Sequence, residues 1–195
     1  MQRFARATTP WTPEIVSDRS SDAPARTRAA AVLIPILTCH AEPEVLLTVR
    51  PGHLRAHAGQ IAFPGGAVEP TDTDRVATAL REAHEEVGLD LVASQVLGRL
   101  PGYQTGTGFD VTPVVALLRD EPTLKPDPNE VAHTFQVPLA YLMDPRNHRR
   151  HHWGEGANAR TFYSMPWHRD TDQTEFFIWG VTAAILRNLY QFLRA

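Results

Sequence analysis

Three glutamates near the middle of the chain have the residue type and spacing of a metal site. On a helix of 3.6 residues per turn, Glu85 lies about 60° to one side of Glu82 and Glu86 about 40° to the other. Clustered carboxylates are common on solvated helix surfaces, since the repulsion between like charges there is small. They are also the ligands that Mg²⁺ or Mn²⁺ prefers, and these cations bind phosphates. The pattern therefore favours a divalent cation and a phosphate-containing substrate.

The segment around these glutamates has the period of an amphipathic helix. Gly88 stands where a helix C-cap favours glycine. Apolar residues recur at helical spacing on one face, which predicts that this face packs inward. The apolar stripe consists of Val76, Leu80, Ala83 and Val87. A glycine pair and an acidic turn precede the helix, and they contain Gly65, Gly66, Glu69, Asp72 and Asp74.

Residues 65–89, GGAVEPTDTDRVATALREAHEEVGL, resemble the Nudix hydrolase signature, G-x5-E-x7-R-E-U-x-E-E-x-G-U with U aliphatic. The second half matches position by position at Arg81, Glu82, Glu85, Glu86, Gly88 and Leu89. The first half differs: Asp72 stands where the family has glutamate, and eight residues instead of seven separate it from Arg81. Either Asp72 or Asp74 therefore takes the place of the first acid.

The resemblance implies an enzyme in which water attacks one phosphorus of a diphosphate with the help of Mg²⁺ or Mn²⁺. Glu82 and Glu86 are the expected metal ligands, and Glu85 is a third ligand or the group that orients or deprotonates water. Arg81 is expected to point away from the centre of the acidic cluster and to orient the preceding loop through Glu69 or Asp72. The glycine pair is expected to let the backbone approach the site closely.

A second motif directly precedes the first. Residues 46–66, LLTVRPGHLRAHAGQIAFPGG, resemble the additional motif of the coenzyme A pyrophosphatase branch of the Nudix family. This resemblance implies hydrolysis of coenzyme A or its thioesters to 3′,5′-ADP and 4′-phosphopantetheine or its acylated form. The basic residues would contact phosphates, although without the resemblance a solvated loop is the simpler interpretation. The expected substrate-binding residues are Arg50, Arg55, His57, Gln60, Gly65 and Gly66.

The order of apolar segments predicts an α/β fold. A hairpin is expected over 29–37 and 44–49, and further strands are expected over 61–63, 91–101, 111–118 and 131–137. Aromatic strand-like segments follow at 161–168 and 174–179, with a short helix over 138–143 and a terminal helix over 179–193. Pro113 favours a bulge or an edge position for its strand. These elements predict a mixed β-sheet between helices, in agreement with the Nudix-type α/β/α sandwich that the resemblance implies. We expect an N-terminal arm over 1–28, anchored by Trp11, and a single Nudix domain over 29–195.

Two further segments have more than one interpretation. Glu130 lies in a region from which some Nudix hydrolases draw a general base or an extra metal ligand; the alternative is a structural carboxylate. The cluster NHRRHHW at 147–153 is either a phosphate or adenine contact or, as we favour, a mobile hairpin tip.

Composition narrows the function further. The chain has 195 residues, 43% of them hydrophobic, and a net charge of −3, so it has no electrostatic footprint for nucleic acid or an anionic membrane. No apolar run approaches 18 residues, and a cytoplasmic location is expected. Cys39 is interpreted as a buried structural thiol. The oligomeric state is not predicted.

Three other kinds of function were considered: a Nudix hydrolase with a different substrate, a protein that binds a nucleotide without cleaving it, and a zinc enzyme. A Nudix enzyme could act instead on ADP-ribose, a nucleotide sugar, a dinucleoside polyphosphate or an oxidised nucleotide. A non-catalytic nucleotide sensor would not need the full acidic set. A zinc protease is excluded because HEEVG lacks the second histidine of its motif. His53 and His57 are spaced as helical ligands, but Pro51 and Gly52 disfavour a helix and no cysteine lies near.

Overall fold

The computed structural model describes Phe4 and residues 11–18, 26–53, 59–154, 160–169 and 171–195. A mixed eight-stranded sheet forms its centre, and a three-stranded antiparallel sheet packs beside it. The large sheet contains β1 (Arg28–Leu37), β2 (Glu44–Val49), β3 (Ile61–Ala62), β4 (Gly65–Ala67), β5 (Val96–Arg99), β6 (Tyr103–Gln104), β7 (Phe109–Leu118) and β8 (His133–Pro138). The small sheet contains β9 (Arg149–Trp153), β10 (Arg160–His168) and β11 (Glu175–Trp179), and the helices are α1 (Arg75–Val87), α2 (Leu139–Leu142) and α3 (Gly180–Arg194).

The central strand β1 organises the large sheet. It runs parallel to β7 over ten residue pairs, from Arg28 opposite Phe109 to Leu37 opposite Leu118. Near its end it pairs with β2, which confirms the predicted hairpin. Near its start it pairs antiparallel with β4, so the glycine pair lies against the first half of β1.

Helix α1 covers one face of the large sheet. Ala83 and Val87 are fully buried there, and the partly buried Val76 and Leu80 pack against the same cluster, as the apolar period predicts. The helix ends at Gly88, whose φ of 72° is the left-handed conformation that favours glycine. This geometry fixes which face of α1 is left for the carboxylates.

Helix α3 and the small sheet cover the other face. Successive residues of β1 alternate between two hydrophobic clusters, with Ile34 in the cluster below α3 and Leu33 in the cluster below α1. The small sheet joins the α3 side through Met165 and Ile178, both fully buried. The large sheet therefore lies between helices, and the α/β/α sandwich is confirmed.

Several local predictions need correction. Residues 149–153 form strand β9, paired with β10, rather than a hairpin tip. Strand β7 lies between β1 and β5, so Pro113 is not on an edge strand. The carbonyl oxygen of Pro113 accepts from the Leu100 amide at 2.9 Å, where β5 has ended and β6 has not begun. The missing proline N–H therefore faces a break in the ladder, where its absence costs little.

The strand predicted over 91–101 is limited to β5, because residues 93–95 form a 3₁₀ turn. Cys39 is partly exposed rather than buried, and its thiol donates to Glu121 Oε2 at 3.2 Å. None of the described helices is long and apolar enough to cross a membrane.

Residues 11–18 pack on α3. The backbone of Ile15 and the amide side chain of Asn188 donate to each other's oxygens, and the Trp11 ring lies 5.4 Å from that of Phe192. Glu14 accepts hydrogen bonds from Tyr163 and Arg187 at 2.6 and 2.8 Å. Aromatic and polar contacts thus fix this segment to the terminal helix.

Candidate active site

Asp72 and Asp74, the two candidates for the first acid of the motif, have different roles in the turn before α1. Asp74 is the N-cap of α1 and accepts from the Ala77 amide at 2.8 Å. Asp72 instead accepts from Arg81 through both carboxylate oxygens, at 2.9 and 3.0 Å. The Arg81 guanidinium holds the pKa of Asp72 far below its usual range. Asp72 therefore occupies the position of the first acid, and the role of that acid is to hold Arg81.

Arg81 lies among the acids, which corrects the expectation that it points away from their centre. Its Nη1 atom lies 2.9 Å from Glu82 Oε1 and 2.9 Å from Glu85 Oε2. Its Nη2 atom donates to the Ala67 carbonyl at 3.1 Å, so it also fixes the end of β4. The predicted link to the loop through Asp72 is present. Arg81 thus joins the acidic turn, β4 and two of the three glutamates.

Glu86 is the most buried of the glutamates, with 4% of its surface exposed. Its Oε2 atom accepts from the Gly65 amide at 3.2 Å. Burial raises the pKa of Glu86 to about 8 despite this hydrogen bond, and the charges of Glu130 and Glu82 add to the effect. A nearby cation would stabilise the charged form of this carboxylate, which burial disfavours.

Glu82 lies directly over the second glycine of β4. A Cβ atom on Gly66 would lie 2.4 Å from Glu82 Oε1, and one on Gly65 would lie 2.5 Å from the Ala31 carbonyl oxygen. Burial raises the pKa of Glu82, although Arg81 acts in the opposite direction. The predicted close approach of the glycine backbone to the site is therefore present. Glu82 lies against Gly66 and Glu86 against Gly65, so both carboxylates lie beside β4.

The expected site residues outside α1 lie in two connections. Glu130, exposed at the end of the connection from β7 to β8, faces the same carboxylates, since its charge raises the pKa of both Glu82 and Glu86. The charge of Arg50 lowers the pKa of Glu86, which places it on this side of the sheet as well. The Arg50 amide donates to the Gln60 carbonyl at 3.0 Å.

The predicted residues Arg55 and His57 lie outside the described residues. The described ends of their loop are tied together, because the Gly59 amide also donates to the Arg50 carbonyl, at 3.1 Å.

The carboxylates fit a divalent cation in type and in electrostatics. Glu82 and Glu86 have raised pKa values, Glu130 adds charge to both, and oxygen donors suit Mg²⁺ or Mn²⁺. Glu85 differs, because its side chain is 55% exposed, whereas that of Glu82 is 14% exposed. The structure thus separates Glu85 from the two inner glutamates that the sequence grouped with it.

Three supporting residues were not predicted. Arg75 donates to the Ala30 and Asp110 carbonyls at 2.6 and 2.8 Å and fixes the start of α1 to the sheet. Thr78 donates to Asp72 Oδ2 at 2.9 Å. The Asp127 amide donates to the Glu86 carbonyl at 2.9 Å and holds the connection of Glu130 to the helix. Their partners are distant in sequence, and no local pattern marks them.

A family model for the NUDIX domain matches residues 27–158. The chain belongs to the Nudix family. The Nudix hydrolase NudL of Yersinia enterocolitica is 44% identical over 171 residues, which cover 86% of this chain and 82% of that protein. NudL of Yersinia pestis is 42% identical over 180 residues, which cover 92% of this chain and 86% of that protein.

The Nudix fold also extends to a solved structure. The MutT/nudix family protein from Enterococcus faecalis covers 99% of this chain and 73% of its own, at 14% identity and a TM-score of 0.54. The NUDIX domain match and the NudL relatives identify the chain as a Nudix hydrolase, a class that acts on nucleoside diphosphate derivatives and generally needs divalent cations such as Mg²⁺ or Mn²⁺.

The burial of Glu86 predicts that the metal-free protein loses stability as the pH rises. The folded state holds the Glu86 proton up to a pKa of about 8, whereas the unfolded chain releases it near 4.5. The stability that this proton provides is complete below pH 4.5 and is lost as the pH passes 8. Urea unfolding in a chelator should show a loss on the order of 3 kcal/mol between pH 5 and 8.

The variant Glu86→Gln is the matched control for this prediction, because its amide does not titrate. Its pH dependence should be flatter than that of the wild type over the same range. Equal slopes for the two proteins would mean that the Glu86 carboxylate does not titrate as its burial requires.

Proposed function

We propose that this Nudix hydrolase cleaves the diphosphate of coenzyme A or its thioesters, releasing 3′,5′-ADP and 4′-phosphopantetheine or its acylated form. The observation that carries the proposal is the motif at 46–66, which resembles the coenzyme A pyrophosphatase branch and leads directly into the acidic helix. The products follow from hydrolysis of the single diphosphate in this substrate.

The surroundings of Arg50 support an anionic substrate. Its Nε atom is buried and has no hydrogen-bond partner among the residues that the structure describes. A buried donor without a partner costs free energy unless a ligand satisfies it. Arg50 follows the last residue of β2, and its positive charge acts on Glu86. It would therefore also attract a phosphate that binds beside this glutamate through the cation.

The glutamates of α1 and Arg81 have different expected roles in the reaction. Glu82 and Glu86 would hold the cation, since both have raised pKa values and lie at the glycine pair. When bound, the cation neutralises charge on the diphosphate oxygens and makes a bound water more acidic. Arg81 keeps Glu82 and Glu85 in place through its pair with Asp72.

We assign removal of the water proton to Glu130 in preference to Glu85. Glu85 Oε2 lies 2.9 Å from Arg81 Nη1, so the guanidinium already engages this carboxylate. Among the described residues, none donates a hydrogen bond to the Glu130 carboxylate, and its charge acts on both inner glutamates. Glu130 is thus free to accept a proton at this site.

A substrate panel tests the assignment. With saturating Mg²⁺ or Mn²⁺, kcat/KM should be at least tenfold higher for coenzyme A or acetyl-coenzyme A than for ADP-ribose, a nucleotide sugar or a dinucleoside polyphosphate. Turnover of ADP-ribose far above that of coenzyme A would refute the coenzyme A assignment but keep the hydrolase. Absence of turnover on every member, with nucleotide binding retained, would support a sensor.

The variant Arg55→Ala tests recognition of the 3′-phosphate. It should raise KM for coenzyme A roughly tenfold and KM for 3′-dephospho-coenzyme A much less, because one charge-assisted contact contributes about 1.5–3 kcal/mol. Arg99→Ala, which removes an exposed arginine of β5, is the matched control and should change neither. Equal effects of Arg55→Ala on both substrates would exclude Arg55 from this contact.

A further inference from the structure

Three side chains with different metal-binding atoms meet where β1 and β7 end. The two parallel strands finish side by side, with Leu37 opposite Leu118. The backbone amide and the hydroxyl of Thr38 both donate to the Leu118 carbonyl, at 2.7 and 3.1 Å. The two segments that follow therefore leave the sheet as neighbours. One carries Cys39 and His40, and the other carries Glu121.

The donor atoms are close enough to share one ion. His40 Nε2 lies 2.6 Å and Cys39 Sγ 3.2 Å from Glu121 Oε2, and all three atoms lie within 4.8 Å of one another. Ligand atoms around a tetrahedral Zn²⁺ with bonds of 2.0–2.3 Å lie about 3.3–3.8 Å apart. Small rotations of exposed side chains would open the present hydrogen-bonded arrangement to that spacing.

A second, independent feature orients the histidine as a metal ligand. The other ring nitrogen, His40 Nδ1, lies 2.6 Å from Glu44 Oε2 on the first residue of β2. Histidines that bind metals usually donate their second N–H to a carboxylate, which fixes the tautomer and the ring orientation. Each ring nitrogen thus lies at hydrogen-bond distance from a carboxylate. With Nδ1–H held by Glu44, Nε2 is the nitrogen that would bind an ion, once it loses the proton that it donates to Glu121.

We propose that Cys39, His40 and Glu121 bind one Zn²⁺ ion, with Glu44 supporting the histidine and water completing a tetrahedron. A thiolate, an imidazole and one carboxylate suit zinc and are poor ligands for Mg²⁺. The side chains of His40 and Glu121 are 39% and 57% exposed, so an ion and its water can enter from solvent. On binding, the thiol proton of Cys39 and the Nε2 proton of His40 leave to solvent, and the Sγ–Zn and Nε2–Zn bonds replace the two hydrogen bonds to Glu121.

This site is separate from the diphosphate site. Cys39 lies seven residues beyond Val32, the residue of β1 that pairs with Gly65, which corresponds to about 20 Å along an extended strand. The ion would tie together the ends of β1 and β7 and the turn into β2. Its expected role is therefore stabilisation of this end of the sheet, and its existence does not depend on which diphosphate is hydrolysed.

Metal titration of the full chain tests the proposal. Chelator-treated protein is titrated with Zn²⁺ against a chromogenic chelator, in excess Mg²⁺ to occupy the glutamates of α1. One Zn²⁺ per chain should bind to the wild type and to Glu86→Gln. Cys39→Ser and Glu121→Gln should each weaken binding at least tenfold. Glu44→Gln should weaken it about tenfold, and Glu42→Gln, an exposed neighbour in the same turn, should not change it.

Cobalt identifies the ligands directly. Co²⁺ in place of Zn²⁺ should give a thiolate-to-cobalt charge-transfer band and the intense d–d bands of four-coordination in the wild type, with the charge-transfer band lost in Cys39→Ser. Zn²⁺ at about 100 times its Kd should raise the Tm of the wild type by roughly 5 °C and leave that of Cys39→Ser unchanged. Wild-type affinity in Cys39→Ser and Glu121→Gln, or no thiolate band, would overturn the proposal and leave a hydrogen-bonded triad.

Discussion

Replacing Glu86 by glutamine should lower kcat by roughly 100- to 10,000-fold, equivalent to about 3–5 kcal/mol of transition-state stabilisation. The amide keeps the size of the side chain and one oxygen for the Gly65 N–H, which lies 3.2 Å from the carboxylate. It removes the charge that would hold the cation. Steady-state rates on coenzyme A across a range of Mg²⁺ or Mn²⁺ concentrations measure the effect.

The same variant should remain folded at pH 7.5 without metal and be at least as stable as the wild type. At this pH the wild type must take up a proton on Glu86 or bury its charge near Glu82 and Glu130 when it folds, and the amide avoids this cost. Asp90→Asn, which neutralises an exposed acid just beyond α1, is the matched control and should retain wild-type turnover. Near-normal turnover of Glu86→Gln would exclude Glu86 as a metal ligand.

Replacing Gly66 by alanine should abolish most activity while leaving the fold intact. The new Cβ atom would lie 2.4 to 2.6 Å from the carboxylate atoms of Glu82, which is closer than atoms can approach. The end of a glutamate side chain can rotate away, so the backbone need not move. Glu82 would then leave its place beside the glycine pair, and kcat should fall at least tenfold, with little change in Tm.

Replacing Gly65 by alanine should instead lower the stability of the fold, because the new side chain meets backbone atoms and not a flexible side chain. Its Cβ atom would lie 2.5 Å from the Ala31 carbonyl oxygen and 2.6 Å from Val32 Cα, both atoms of the backbone of β1. The two strands would have to separate, which costs about 1–3 kcal/mol or more. Thermal unfolding of the two variants beside the wild type measures this difference. A large loss of Tm in Gly66→Ala, or none in Gly65→Ala, would contradict the geometry of β4.

The helix of the site could be predicted from sequence because its signals are local. The apolar stripe at Val76, Leu80, Ala83 and Val87 and the glycine at its end specify one buried face and one end, and these determine where the glutamates point. The hairpin of β1 and β2 was predictable for the same reason. In the second sheet, β10 and β11 were predictable from their aromatic segments, whereas β9 was not, because it is polar and becomes a strand only through its pairing with β10.

Within the site, the roles of the acids depended on contacts that spacing does not reveal. The extra residue in the turn left Asp72 and Asp74 equivalent in sequence. Only the folded chain makes Asp74 a helix cap and Asp72 the partner of Arg81. Spacing also placed three glutamates on one face, whereas burial against β4 distinguishes Glu86, at 4% exposure, from Glu85, whose side chain is 55% exposed.

The sequence by itself therefore determined the family, the acidic helix and the class of chemistry, because these depend on residues close together in the chain. Tertiary structure decided which atoms meet. The parallel pairing of β1 with β7 brings Cys39 and His40 to Glu121, about 80 residues away in the chain. Because the sheet already holds the two strand ends together, their side chains meet without a further entropy cost of loop closure. The pairing of β1 with β4 brings the Gly65 amide to Glu86, because a side chain finds its distant partner only after the strands have aligned.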